Sequence, residues 1–192
     1  WGSNYAAMWN YKHSHSVPMI SVADAVSEGA DLVIGSLSML NPDEVEDAHN
    51  VEIFSQCVAQ KRALGIPLVG ELYPTGGDDK QPEDLQDEIY IGSRIIAELG
   101  ADLVKTFYTG SGFKKIVDAI PVPVLALGAK KLPQESDALK LAAQAIEAGG
   151  RGVVFGRNVI QSAHPDRFLD ALKEVVKDFQ APDKVASKYK LD

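Results

Sequence analysis

The chain has 192 residues, of which 45% are hydrophobic, so it is long enough to bury a sizeable core. Nineteen Lys and Arg residues against 27 Asp and Glu residues give a net charge of −8, which argues against a nucleic-acid partner. The single cysteine, Cys57, excludes an internal disulfide and a cysteine-cluster metal site. We find neither an apolar run of ~20 residues nor an export leader, and we expect a cytoplasmic protein without a membrane partner.

The first 17 residues begin without an initiator methionine and contain several aromatic residues and two histidines in no clear period. His13 and His15 alternate as they would on a strand or in a loop. Zinc needs three or four convergent ligands, and no acidic residue or cysteine lies beside these histidines. We therefore predict no metal site.

A short amphipathic helix, a glycine and an apolar strand follow one another three times, in residues 22–35, 94–106 and 142–156. Glycine directly after a helix adopts a left-handed cap without strain. Two further apolar strands are bounded by proline, in residues 65–73 and 120–128. The strand starts, near residues 31, 67, 102, 123 and 152, are about one βα unit apart. This spacing predicts an α/β protein with at least five parallel strands.

Four longer helices are predicted between and after these strands: 45–64, 83–99, 135–148 and 165–179. The first follows Pro42, which suits a first helical turn, and Asp43 and Glu44, which suit the positive end of the helix dipole. Residues 75–84 form a polar loop after a strand, where α/β folds place function. Residues 181–192 are predicted to be a tail that lies on the surface or contacts another subunit.

Lys105 lies in the middle of an apolar strand, ADLVKTFYTG, where parallel sheets covered on both faces are almost entirely apolar. A neutral lysine amine is a nucleophile toward carbonyls, and burial and nearby cations would favour that form. The alternative is an edge-strand lysine whose side chain reaches solvent. Because side chains alternate along a strand, Leu103, Lys105 and Phe107 should share one face.

The carboxyl ends of the predicted strands carry further candidates, because parallel α/β folds collect chemistry there. Tyr73 ends one strand, and its alternative role is that of a core aromatic with a satisfied hydroxyl. Two later strands end in Gly-containing turns with basic residues. Such turns suit a phosphate, which is bound by backbone N–H groups and by Lys or Arg charge. The candidates there are Gly128, Ala129, Lys131, Gly156 and Arg157.

Residues 100–133 and 149–165 resemble the DeoC/archaeal-type class I (Schiff-base) fructose-bisphosphate aldolase family, which includes a thiolase branch acting on 3-hydroxy-5-phosphonooxypentane-2,4-dione. The resemblance extends from about Gly2 to Phe179. It implies a (β/α)8 TIM barrel in which Lys105 matches the Schiff-base lysine of strand 6. It also implies that Tyr73 in ELYPTG matches the tyrosine proton donor, with Thr75 where arginine is usual.

The same resemblance assigns LGAKK, residues 127–131, to the phosphate loop, with Ala129 where a second glycine is usual, and GRN, residues 156–158, to the loop after strand 8. It implies no cofactor, a phosphorylated ketose or diketone substrate, and a homo-oligomer, often a decamer. On this alignment the chain is a single partial barrel domain covering about strands 4 to 8. The alignment places Gly2 and Ser3 just after strand 3, so the N-terminal strands, and the aspartate that family aldolases carry on strand 1, are expected to be absent. A fragment or an incompletely known chain would account for this.

The resemblance leaves the reaction open. The AKKLP and QSAHP runs are closer to the thiolase branch, whereas the YP turn at Tyr73 is closer to the aldolases. We expect a class I aldolase that cleaves or forms a C–C bond of a phosphorylated ketose through a lysine imine. The alternatives are a thiolase that transfers an acyl group from a phosphorylated diketone to coenzyme A, and a non-catalytic phosphosugar-binding barrel.

Overall fold

A computed structural model describes residues 16–39, 41, 43–74 and 76–192. His13, His15, Pro42 and Thr75 therefore lie outside the described residues. The described part contains five strands: β1 (Val33–Leu37), β2 (Leu68–Leu72), β3 (Leu103–Phe107), β4 (Val124–Leu127) and β5 (Gly152–Val154). They form one parallel sheet in the order β1-β2-β3-β4-β5. The predicted α/β class is confirmed, and the sheet is that of a partial (β/α)8 barrel.

Helices connect the strands and cover one face of the sheet. In the described residues they are α1 (Val22–Ser27), α2 (Glu44–Leu64), α3 (Gln86–Leu99), α4 (Phe113–Ala119), α5 (Glu135–Glu147), α6 (Arg157–Ile160), α7 (Pro165–Lys177) and α8 (Pro182–Tyr189). No helix among the described residues is long and apolar enough to cross a bilayer.

Local sequence accounts for most of the helix boundaries. Helix α2, predicted from residue 45, begins at Glu44, and Asp43 caps it because its carboxylate accepts a hydrogen bond of 2.9 Å from the Val45 N–H. The glycines that follow the three repeated helices all have positive φ, at Gly29, Gly100 and Gly149. The predicted glycine caps are therefore confirmed.

Two predicted boundaries are wrong by two or three residues. The helix expected from residue 83 begins at Gln86, because Asp84 closes a turn in which its N–H donates to the Gln81 carbonyl. The helix expected to end at residue 179 ends at Lys177, because Phe179 takes a positive φ of 54° and cannot continue it.

The larger of two apolar cores lies between the sheet and helices α1 to α4, around Phe54, Ile96 and Phe113. Close packing of α3 on β2 requires glycine at position 70. A Cβ atom there would lie 2.4 Å from the Ile96 side chain and 2.9 Å from that of Ala101. The helix-covered face of the sheet is therefore packed without spare volume.

The second core joins α5, α7 and α8 around Leu139, Phe168 and Val185. Helix α8 covers most of the segment predicted as a tail, and it contacts both α5 and α7. Val185 and Ala186 are buried in this contact, while most other residues of the helix are exposed. The segment thus packs on its own chain, and a contact with another subunit stays a prediction.

Candidate active site

Lys105 lies on β3, the central strand of the sheet, with β2 on one side and β4 on the other. Its side chain is only 17% exposed. The alternative that Lys105 is an edge-strand lysine is therefore wrong. The neighbouring residues Val104 and Thr106 point to the helix-covered face and are fully buried, so Lys105 points to the other, inner face of the sheet.

The amine of Lys105 forms an ion pair and a hydrogen bond with the Glu71 carboxylate of β2. Glu71 stands directly across from Lys105 in the strand register, and Ser36 of β1 stands directly across from Glu71. The Ser36 hydroxyl donates a hydrogen bond of 2.9 Å to the other oxygen of the same carboxylate. A row of three polar side chains thus crosses β1, β2 and β3. The partner of Lys105 is an anion, whereas nearby cations were predicted from the sequence.

Tyr73 lies two residues after Glu71, just beyond the end of β2. Its ring packs on Phe107 with 5.1 Å between ring centroids, and Phe107 lies two residues after Lys105 on the same face. The Tyr73 N–H donates to the Leu37 carbonyl, which extends the β1–β2 pairing by one residue. Tyr73 is half-buried and lies one side-chain layer nearer than Lys105 to the carboxyl edge of the sheet.

The predicted phosphate loop follows β4 and begins at the buried Gly128. A Cβ atom at this position would lie 2.8 Å from the Phe155 ring and 2.9 Å from the Asn158 amide, so no larger residue fits. Ala129 follows with a φ of 46°. This left-handed conformation favours glycine, and a residue with a Cβ atom adopts it at a cost of roughly 1–2 kcal/mol. The backbone therefore keeps at Ala129 a conformation that suits the usual glycine.

Asn158 connects this loop with the turn after β5. Its buried amide donates to the Gly128 carbonyl at 2.8 Å and, more weakly, to the Lys130 carbonyl at 3.4 Å. Its side-chain oxygen accepts from the Leu132 N–H at 2.8 Å. One side chain thus holds three backbone groups of residues 128–132. No role of its own was predicted for Asn158 from the sequence.

The basic candidates lie around the same turns. The Lys131 amine donates a hydrogen bond of 2.7 Å to the Gln161 carbonyl, a neutral acceptor that leaves the positive charge of the lysine uncompensated by this contact. The Lys130 amine pairs with Asp79 at 2.5 Å across the loop after β2. Gly156 and Arg157 are exposed at the start of the short helix α6. The structure therefore brings the two predicted phosphate turns together.

The strand register relates the two parts of the site. Lys105 stands across from Leu125 of β4, and Leu125 precedes Gly128 by three residues. The phosphate turns accordingly lie nearer to the carboxyl edge of the sheet than the Lys105 row does. Parallel α/β folds collect chemistry at this edge.

A second lysine–carboxylate pair lies on the helix-covered side of the sheet, just before β3. The Lys61 amine of α2 contacts both oxygens of Asp102 at 2.7 Å, and Asp102 also accepts from the Leu68 N–H at 2.8 Å. Burial acts to raise the pKa of Asp102, but the bonds from Lys61 and Leu68 outweigh it and hold this pKa below its ordinary value. Burial, and secondarily the Glu147 charge, raises the pKa of Tyr108, which follows β3 and keeps its hydroxyl proton.

The described residues hold no group of three or more His, Cys, Asp or Glu side chains arranged to bind a metal ion. No role was predicted from the sequence for Ser36, Glu71 and Asn158. Glu71 was detectable by the criterion that singled out Lys105, because it is a charged residue inside an apolar strand, LVGEL. Ser36 and Asn158 carried no such signal.

The sequence and the fold of this chain are similar to those of known proteins. The model of the DeoC/LacD family aldolases matches residues 4–162, and this chain belongs to that family. Among curated relatives, the 3-hydroxy-5-phosphonooxypentane-2,4-dione thiolase of Escherichia coli K12 is 41% identical over 176 residues, covering 92% of this chain and 58% of the relative. An uncharacterized aldolase of Saccharolobus solfataricus is 29% identical over 169 residues, covering 86% of this chain and 62% of the relative.

Among solved structures, aldolases are similar to this chain as well. An archaeal fructose 1,6-bisphosphate aldolase is 34% identical with a TM-score of 0.77, covering 85% of this chain and 65% of that one. A structure of an archaeal fructose-1,6-bisphosphate aldolase whose catalytic lysine is covalently bound to the carbinolamine intermediate of the substrate is 33% identical. Its TM-score is 0.78, with the same coverage. The chain thus spans less than two thirds of the length of these relatives.

Proposed function

We propose that the protein is a class I aldolase that cleaves or forms a C–C bond of a phosphorylated ketose through an imine on Lys105. The observation that carries this proposal is the position of the Lys105 amine, on the central strand, 17% exposed and directed to the inner face. A lysine is seldom placed there for packing alone. The imine itself accepts the electron pair of the breaking C–C bond, so the reaction requires neither a metal nor an organic cofactor.

Other residues would bind and orient the substrate. Gly128, Ala129, Lys131, Gly156 and Arg157 would hold the phosphate, with Asn158 fixing the loop that carries the first three. A bound phosphate places the substrate carbonyl at a fixed distance from the amine, and such positioning supplies several kcal/mol of the barrier. Tyr73, one layer above the amine, would transfer a proton at the neighbouring carbon or hydroxyl.

The comparisons support this reading of the reaction. A Schiff-base-forming fructose-1,6-bisphosphate aldolase of known structure is 34% identical to this chain, with a TM-score of 0.78. The lysine of ADLVKTFYTG is the residue that the sequence resemblance assigns to imine formation. We extend this to a phosphorylated ketose substrate, and to a homo-oligomer that acts in the cytoplasm without a nucleic-acid or membrane partner.

The test is to trap the imine. The protein is incubated with dihydroxyacetone phosphate, reduced with borohydride, and digested for mass spectrometry. We expect an adduct on Lys105. Lys61 is a matched internal control, because it is as buried as Lys105, with 11% of its side chain exposed, and is likewise paired with a carboxylate. An adduct that is missing, or that forms equally on Lys61, would contradict the mechanism.

A second candidate, thiolase chemistry on a phosphorylated diketone, is favoured by the 41% identity to the Escherichia coli thiolase. Product analysis with and without coenzyme A separates the two candidates, since only the thiolase transfers an acyl group to the thiol. A non-catalytic phosphosugar-binding barrel would instead show ligand-induced stabilisation that Lys105→Met leaves unchanged, with no turnover.

A further inference from the structure

Glu71 is held in one orientation by two different strands. One carboxylate oxygen accepts from the Lys105 amine, and the other accepts from the Ser36 hydroxyl at 2.9 Å. The register aligns all three residues in one row, so the contacts need no unusual side-chain reach. Glu71 is 16% exposed, which means that its charge is largely removed from water. The carboxylate is therefore fixed beside the nitrogen that the proposed reaction uses.

Stability alone is a poor explanation for this pair. Desolvation of two largely buried charges offsets most of their attraction, and replacement of such a pair by apolar residues is often neutral or stabilising. The same row continues across β4 and β5 with Leu125 and Gly152, so the sheet accommodates uncharged residues at this level. The charged residues occur where the candidate nucleophile lies, which favours a chemical role.

We propose that Glu71 is the acid–base group of imine formation at Lys105 and that Ser36 is a positioning residue for it. This inference rests on the proposed function, because it concerns the same lysine. It assigns Glu71 to the making of the C–N bond. Tyr73, one layer nearer to the carboxyl edge, is left to the proton transfers that accompany the C–C bond.

The Glu71 carboxylate takes one proton from the Lys105 ammonium, and the neutral amine attacks the substrate carbonyl carbon. A C–N bond forms, the C=O π pair moves to oxygen, and a nitrogen proton passes to that oxygen, giving a carbinolamine. The Glu71 carboxyl group then returns its proton to the carbinolamine hydroxyl, which leaves as water while the nitrogen lone pair forms the C=N bond. Glu71 ends as a carboxylate beside the cationic imine, with no net gain or loss of protons.

The first experiment compares Glu71→Gln with the wild-type protein. Glutamine keeps the shape and one acceptor oxygen but cannot carry the proton. We expect the rate of the borohydride-trapped Lys105 adduct from dihydroxyacetone phosphate to fall by roughly 10²–10⁴-fold. The substrate concentration that half-saturates trapping should be nearly unchanged, because the phosphate turns are intact.

Asp102→Asn is the matched control variant. It removes the charge from the other lysine-paired carboxylate, on the helix-covered side of the sheet, where the partner is Lys61. We expect trapping on Lys105 at the wild-type rate per folded protein. If the trapping rate of Glu71→Gln is also within about threefold of the wild-type rate, far from the loss expected without an acid–base group, the inference is wrong and the proposed function stands. If the wild type itself forms no Lys105 adduct, the proposed function falls, and the inference falls with it.

Two further variants keep the inference testable if Glu71→Gln does not fold. Glu71→Asp retains a carboxylate on a shorter side chain, and its trapping rate should lie between those of the wild type and of a protein without the group. Ser36→Ala should slow trapping by roughly tenfold or less at unchanged half-saturation, and Ser36→Thr, which keeps the hydroxyl, should restore it. Wild-type trapping rates in both Glu71→Asp and Ser36→Ala would overturn the assignment.

Discussion

Two lysine–carboxylate pairs lie on opposite sides of the sheet near β3, and they are built differently. On the helix-covered face, Lys61 reaches across from α2 to Asp102, a carboxylate with 42% of its side chain exposed. On the inner face, Lys105 and Glu71 come from neighbouring strands, and both are more than four-fifths buried. The outer pair, Lys61–Asp102, thus joins a helix to the sheet where solvent reaches it. The inner pair, Lys105–Glu71, joins two strands and is largely buried.

Their other partners differ as well. Asp102 also accepts from the backbone N–H of Leu68, so it supports the start of β2 as well as the contact with α2. Glu71 takes its second hydrogen bond from the Ser36 side chain, which lies in the same row. Asp102 therefore stabilises the backbone, whereas Glu71 is bound only by side chains and can exchange a proton with Lys105. We therefore expect a structural role for the Lys61–Asp102 pair and a chemical role for the Lys105–Glu71 pair.

Loss of the nucleophile is the change with the largest expected effect. Lys105→Met should abolish the trapped adduct, because methionine has no amine. It should also lower the free energy of unfolding by about 1–3 kcal/mol, since Glu71 loses its cation while it stays largely buried. The double variant Lys105→Met/Glu71→Gln should recover part of this loss in urea denaturation. Equal stability of the single and the double variant would contradict the view of Glu71 as a desolvated charge.

The next largest effect is expected when a methyl group is added to the helix-covered face of the sheet and not to the inner face. Gly70→Ala on the helix-covered face would bring a methyl group to 2.4 Å from Ile96, and we expect a loss of about 1–3 kcal/mol or more in urea denaturation. Gly152→Ala in the Lys105 row is the matched control, because its methyl group would meet only the Leu125 side chain, at 3.2 Å. Its expected cost is below about 1 kcal/mol. Similar losses in both variants would contradict the difference in packing between the faces.

Removal of the outer pair should have the smallest effect and should depend on pH. The folded-state pKa of Asp102 lies below its ordinary value of 3.8, so its stabilisation is present above that pH and is lost as the pH falls through the folded pKa. Asp102→Asn should therefore cost about 0.5–1 kcal/mol at pH 7, since the exposed side of the pair is screened by water. The difference from wild type should shrink below about pH 4. Urea denaturation at pH 7 and pH 3 measures both values, and a gap that widens in acid would contradict the assignment.

Much of the fold was predictable because its signals are local. The glycines after the repeated helices stop them by their own conformational freedom, and the apolar runs between turns mark the strands. The helix ends near residues 83 and 179 were predicted two or three residues too far out. A turn at Asp84 and the positive φ of Phe179 decide those ends, and neither is visible in an apolar pattern.

The candidate site was likewise predictable only where its signals are local. Lys105 and Tyr73 were identifiable because each stands out within or at the end of an apolar strand, and the glycines at 128 and 156 because basic residues follow them. The partners of these residues come from elsewhere in the chain: Ser36 lies 35 residues before Glu71, and Asn158 lies 30 residues after Gly128. Separations of this size carry no periodic signal, so the contacts emerge only when the strands align.

By itself, the sequence determined that this protein has a parallel α/β architecture, and it singled out the one lysine inside an apolar strand as a candidate nucleophile. Strand periodicity and glycine caps act over a few residues, which is why they are legible in the chain. Only the tertiary structure decided that β3 is central, that the partner of Lys105 is the anion Glu71 rather than a cation, and that Asn158 joins the two turns. Those facts depend on which strands are neighbours and in what register, and long-range packing sets both.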